Sequence, residues 1–199
     1  RLFMIKRFII KIIAFCLVII NVNAIENVIL FGDSLMAGYG LSQEKHLSIV
    51  LQKNLADSGY NLEVIDGSVS GSTSAGGLNR AEWSLSEPNI NLMILGLGAN
   101  DMLRGISPIE TEKNLEKIIQ IAKKKKIEII LAGMIAPTTH GFSYKKKFDN
   151  IYPILAKKYD LYLIPFLLEG VALKPELNQD DGMHPNEKGT LVVSDTLKK

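Results

Sequence analysis

Short, nearly uninterrupted runs of apolar and β-branched residues recur along the chain at 27–31, 62–65, 92–97, 127–131 and 161–164. Segments this short, apolar without alternation, are what strands buried on both faces of a parallel sheet require. Between them lie longer amphipathic stretches at 44–58, 75–84, 108–125 and 142–159, and a last one at 186–199 that Gly189 weakens. Strand and helix therefore alternate five times. Parallel neighbours need crossovers, and crossovers are right-handed, so the pattern predicts an α/β fold: an open three-layer α/β/α sandwich around a mostly parallel five-stranded sheet. No repeat, linker or low-complexity tract divides residues 25–199, which are read as one domain.

The first 24 residues follow a different pattern. Lys6, Arg7 and Lys11 precede an apolar run at 12–20, and Asn21-Val22-Asn23-Ala24 follows it. This is the order of a secretory signal peptide, with small residues at Val22 and Ala24 before the cleavage point. The apolar stretch 8–22 is interrupted by Lys11 and falls short of the roughly 20 residues that a membrane-spanning helix needs. Residues 1–24 are accordingly read as a signal cleaved after Ala24, with a periplasmic or secreted product and no stable membrane insertion.

That reading changes the charge. The full chain carries 23 basic and 21 acidic residues; without Arg1, Lys6, Arg7 and Lys11 it carries 19 basic against 21 acidic, a formal charge of −2. The electrostatic ground for a nucleic-acid partner disappears with it. The single cysteine, Cys16, goes with the signal, so an oxidising compartment poses no problem. Two lysine runs, 123–126 and 145–147, read respectively as the last turn of a helix, where cations suit the macrodipole, and as a solvated helical face.

In open α/β sheets ligands bind beyond the carboxyl ends of the strands. Four loops there are unusual: Gly32-Asp33-Ser34-Leu35, Gly67-Ser68-Val69-Ser70-Gly71-Ser72-Thr73, Gly98-Ala99-Asn100-Asp101, and Asp180-Asp181-Gly182-Met183-His184-Pro185. Each offers one component of acyl transfer. Ser34, where a strand passes into a helix, can expose its hydroxyl while its N–H points at a developing oxyanion. Gly71 lets a backbone N–H approach a reacting carbonyl oxygen, and the Asn100 amide donates without adding charge. His184 is a base suited to neutral pH, and Asp181, three residues earlier, can reach back to fix its tautomer. Asp180 stands beside it, and spacing alone does not separate the two.

With these blocks in view the chain resembles the SGNH, or GDSL, hydrolases, named for a Ser, Gly, Asn and His in four ordered blocks. All four are present: Ser34 in GDSL, Gly71, Asn100 in GAND, and His184 in a DxxH block. The stretches FGDSLMAGYG, VSGSTSAGG, NDMLRG, IYPILAKKYD and QDDGMHPN look most like the bacterial periplasmic thioesterase, arylesterase and lysophospholipase branch. The resemblance implies a flavodoxin-like SGNH hydrolase fold and hydrolysis of small acyl esters or thioesters through an acyl-enzyme. It implies Ser34 as nucleophile, His184 as base and Asp181, rather than Asp180, as its partner. Ser34 N–H, Gly71 N–H and Asn100 Nδ2 would form the oxyanion hole. No cofactor and no metal are expected, and the molecule is expected to act as a monomer.

Three departures from the family pattern bear on substrate preference: Ala99, the pair His46-Leu47, and the loop Thr138-Thr139-His140, which in relatives lines the acyl site. His46 and His140 themselves read as structural or surface residues. Segments 134–137 and 166–168 read as core, with acyl-chain contact as what the resemblance adds. The 71–77 stretch is not a P-loop, because Gly77 stands where the phosphate-binding lysine belongs. Two rival readings are a carbohydrate O-acetyl esterase on the same fold and a non-catalytic flavodoxin-like binding module.

Overall fold

A computed structural model describes residues 26–199; the signal read at 1–24 lies outside them. Five strands form one fully parallel sheet in the order β2-β1-β3-β4-β5: β1 (Glu26–Gly32), β2 (Leu62–Asp66), β3 (Ile90–Gly96), β4 (Glu128–Ala132) and β5 (Tyr162–Ile164). Register is continuous where it matters, with Phe31 opposite Leu95 and Gly32 opposite Gly96 at the carboxyl ends of β1 and β3. The helices are α1 (Leu47–Asp57), α2 (Ser74–Ser84), α3 (Ala99–Leu103), α4 (Pro108–Lys124), α5 (Phe142–Asp149), α6 (Ile151–Tyr159) and α7 (Glu187–Lys198). In one layer α1 packs on α7, and in the other α4 packs on α2 and α6. The three-layer sandwich expected from the sequence is the one observed.

The core follows from the central strands. Val28 to Phe31, Met93 to Leu95, Ile129 and Leu131 are buried, and Leu115, Ile118, Ile119 and Ala122 close over them from α4. The outer strands differ from the two-faced burial read in the sequence, because β2 and β5 are only partly covered. They are sheet edges, and an edge strand exposes unpaired backbone groups. On β2 the Gln52 side chain of α1 supplies the missing partner: its Nε2 donates to Leu62 O at 2.7 Å and its Oε1 accepts from Val64 N–H at 2.7 Å.

Three elements depart from the expected boundaries for identifiable reasons. The 142–159 stretch is two helices broken at Asn150, because Pro153 cannot donate to the Asp149 carbonyl and its ring would collide with it. The 44–58 stretch starts as a 3-10 turn (Gln43–Lys45), and the α-helix begins only after His46, which is extended (φ −61°, ψ 146°). Finally, α3 stands where the pattern predicts a loop; at five residues it is too short to show a period, and it starts from Gly98 in a left-handed conformation (φ 119°).

The first lysine run does end α4. The second is not uniformly solvated: Lys145 is half-buried, donates to Ala136 O at 2.7 Å and pairs with Asp149 at 2.7 Å. Asp149 Oδ1 also accepts the Ala136 N–H at 2.8 Å, so α5 fixes the loop after β4.

Candidate active site

Going out from the sheet centre, β1 turns to one side to reach β2, while β3, β4 and β5 run to the other. The reversal leaves a crevice at the carboxyl ends of β1 and β3. Asp33 and Ser34 follow β1 directly, and Asn100 opens α3 just beyond β3. Gly71 lies between β2 and α2, while Asp181 and His184 sit in the loop before α7. The half-buried guanidinium of Arg80 ties two of these exits together, donating to Gly67 O at 2.5 Å and Gly32 O at 3.0 Å while stacking 3.9 Å above the Phe31 ring.

The sequence-predicted residues meet in this crevice. His184 Nε2 lies 2.9 Å from Ser34 Oγ, and His184 Nδ1 lies 2.6 Å from Asp181 Oδ2. An ionised carboxylate only accepts, so Nδ1 carries the ring hydrogen and Nε2 is left to accept from the serine hydroxyl. The other Asp181 oxygen accepts the N–H groups of Met183 at 2.8 Å and His184 at 2.9 Å. These two backbone bonds, His184 first, hold the Asp181 carboxyl down at about 2, well below its usual 3.8.

Opposite the imidazole stand three donors. The N–H groups of Ser34 and Gly71 donate to no other group among the described residues, and both residues line the same cavity as Asn100 and His184. Gly71 has φ +77°, a backbone conformation a side chain resists. Asn100 Nδ2 donates to Ser72 O at 3.2 Å, which fixes the amide plane, and the same amide lies close enough to Asp33 to favour its ionised form. Behind it Asp101 is wholly buried and accepts from Ser74 N–H at 2.7 Å, from the Ser74 hydroxyl and from Thr111 Oγ1 at 3.1 Å. Arg104 adds a bond to Gly71 O at 3.0 Å. The Gly71 and Asn100 loops are thereby laced into one unit.

The cavity beside Ser34 has a volume of about 400 Å³, and its walls include Met134, Ile135, Phe166, Leu168 and Leu173. Met134, Ile135, Phe166 and Leu168 belong to the two segments read as core, 134–137 and 166–168, whose Ala136 and Leu167 are buried away from the cavity. The Thr138-Thr139-His140 turn, by contrast, is not part of the wall; the same loop reaches the cavity only through Met134 and Ile135. His140 packs tilted against the Tyr144 ring at 5.1 Å, and His46 makes a 3.2 Å bond to Leu41 O, so both are structural.

Several functional neighbours lie in the family-like stretches, but the sequence assigned them no role. Asp33 is 1% exposed, and burial pushes its carboxyl up to about 6 from 3.8; the Leu35 N–H, then the nearby Asn100 amide and His184 ring, only partly offset this. Tyr39 packs its ring 4.7 Å from the His184 ring, and Gln179 donates to Tyr39 O. The Tyr39–His184 and Gln179–Tyr39 contacts span more than a hundred residues, which no local spacing reveals.

A sequence profile described as the GDSL-like Lipase/Acylhydrolase family matches residues 30–191. Among known proteins, the chain is 38% identical over 162 residues to an esterase, TesA, of Pseudomonas aeruginosa, covering 81% of each chain. It is 36% identical over 176 residues to the thioesterase 1/protease 1/lysophospholipase L1 of Escherichia coli K12, covering 88% of this chain and 83% of that one. The crystal structure of AlinE4, an SGNH-hydrolase family esterase, superposes with a TM-score of 0.77 at 44% identity, covering 87% of this chain and 94% of the other.

Proposed function

The chain belongs to the GDSL-like Lipase/Acylhydrolase family and is an esterase or thioesterase, and from that premise we propose that it hydrolyses small acyl esters or thioesters through an acyl-enzyme on Ser34. The observation that carries the reading is the continuous hydrogen-bonded chain from Asp181 through His184 to Ser34 at the wall of an apolar cavity. As Ser34 Oγ bonds to the acyl carbon, His184 Nε2 takes its proton and the carbonyl π electrons move onto oxygen. Ser34 N–H, Gly71 N–H and Asn100 Nδ2 receive that oxyanion. Collapse of the tetrahedral intermediate breaks the bond to the alcohol or thiol, which leaves with the proton from His184. Water then repeats the sequence on the acyl-enzyme, releasing the acid and restoring Ser34. Asp181 holds Nδ1 and stabilises the imidazolium throughout.

The apolar walls favour an acyl chain over a bare acetyl group, which separates this reading from the O-acetyl esterase alternative. Membership of an enzyme family sets the binding-module alternative aside. Export through residues 1–24, a periplasmic or secreted location and a monomeric state belong to the same proposal. Among the described residues no helix is long and apolar enough to cross a membrane.

The test is hydrolysis of p-nitrophenyl octanoate and acetate by the wild type and by Ser34→Ala. The octanoate is expected to show the higher kcat/KM, and the variant to lose roughly three or more orders of magnitude in kcat with its melting temperature kept. A folded Ser34→Ala protein within tenfold of wild type would overturn the assignment.

A further inference from the structure

The imidazole and the hydroxyl that it must meet are carried by two separate loops, and catalysis tolerates little error between them. A misplacement of about 1 Å can cost on the order of 100-fold in rate. The nucleophile loop, residues 33–41, is anchored at its start: Met36 N–H and Ala37 N–H both donate to Asp33 O, and β1 lies immediately behind. The histidine loop, residues 178–186, is more exposed, with Asp181, Gly182 and Met183 all open to solvent. Its position relative to Ser34 therefore needs a cause.

Among the described residues, only two hydrogen bonds join these loops. One is the Ser34–His184 contact itself, and the other runs from Gln179 Nε2 to Tyr39 O at 2.7 Å. Gln179 is also the hub of its own loop. Its N–H donates to His184 O at 2.8 Å, its carbonyl accepts Gly182 N–H at 2.9 Å, and its Nε2 donates to Pro185 O at 2.9 Å. Both side-chain donors are thus committed, one on each loop, which fixes the amide orientation. The side-chain oxygen then points toward Gly40, where a Cβ would collide with it; Gly40 stands at φ +75°, so a side chain there is excluded twice. Tyr39, held by its carbonyl, completes the brace by packing its ring against His184.

We infer that Gln179 is a positioning residue, one that sets the His184 imidazole over Ser34 Oγ by clamping the two loops together. The inference rests on the reading of Ser34 and His184 as nucleophile and base. Gln179 is not among the residues that line the cavity beside Ser34. It acts through His184, so its loss should appear in the chemical step and not in binding.

Gln179→Met keeps the length and removes the donors, while Gln179→Glu keeps the shape, removes the donors and adds a negative charge near the imidazole. In both, kcat for a short p-nitrophenyl ester is expected to fall about 10- to 100-fold, with KM within about threefold. The rate of Ser34 labelling by a fluorophosphonate should fall in parallel. The glutamate variant alone should also move the acid limb of the pH–rate profile upward, because an added carboxylate favours the imidazolium. Gly40→Ala approaches the same clamp from the other loop and should lower kcat in the same direction, which keeps the test open if a Gln179 variant fails to fold.

A folded Gln179→Met enzyme with kcat and labelling rate within twofold of wild type would overturn the inference. So would a loss of kcat explained entirely by a smaller folded fraction. Failure of the underlying reading looks different, since wild-type protein would then escape labelling or Ser34→Ala would retain activity.

Discussion

Asp33 and Asp181 flank the Ser34–His184 hydrogen bond from opposite sides, in loops of opposite construction. Asp33 belongs to the sheet shoulder, buried beneath the nucleophile, and its Oδ2 has no hydrogen-bond partner among the described residues. Asp181 lies in an open loop and receives two backbone N–H groups and the imidazole. The same side chain is pushed up to about 6 in the first place and down to about 2 in the second. Burial is the larger influence on one and backbone amides on the other. A partner for histidine has to stay charged at every working pH, and the loop achieves that with donors and without depth. The shoulder has a different task, that of holding a serine rigidly at a strand end, and it tolerates a carboxyl that ionises late.

The sharpest way to test the contrast is Asp181→Asn. With the asparagine oxygen kept on the Met183 and His184 N–H groups, its NH₂ faces Nδ1 and the ring hydrogen is forced onto Nε2, so the imidazole can no longer take the serine proton and kcat is expected to fall about 10³- to 10⁴-fold. Steady-state kinetics at pH 8 check this, and a loss below tenfold would place the charge elsewhere. Because the Asp181 carboxyl titrates lower when folded, its contribution to stability is present above 3.8 and disappears as pH drops toward about 2.

Asp33→Asn should move stability more than chemistry, and with the opposite sign. A carboxyl raised from 3.8 to about 6 binds a proton more tightly when folded, so stability falls as pH climbs through that window. The full cost above pH 6 is on the order of 3 kcal/mol. Asparagine retains an acceptor for Leu35 N–H and removes the charge, so denaturant unfolding at pH 4 and pH 8 should show the variant gaining relative to wild type at pH 8 only. Equal pH dependence in the two proteins would show that Asp33 ionises normally.

The division between shoulder and loop also explains what the sequence reveals. Strands β1 and β3 are legible because continuous apolar runs need no partner information, and Ser34 and Asn100 are legible because they stand just after such runs, with Gly71 marked by the glycine- and serine-rich loop that follows β2. His184 is legible beside a pair of acidic residues, but spacing leaves Asp180 and Asp181 open and only the family resemblance selects Asp181. Which strands become edges is not legible, since β2 and β5 are exposed only by virtue of strand order. The break at Asn150 was written in Pro153, whereas α3 was too short to carry a period. Asp33, Asp101 and Gln179 depend on what packs around them, and the sequence shows the same carboxylate or amide whether it is solvated, buried or clamped.

Activation of Ser34 by His184, held by Asp181, is tested most directly by mass spectrometry of the wild-type protein and His184→Ala after brief exposure to a fluorophosphonate. One covalent adduct on the Ser34 peptide is expected in wild type, with its rate of formation cut by orders of magnitude in the variant. An adduct on another residue, or labelling of Ser34 at an undiminished rate without His184, would contradict it.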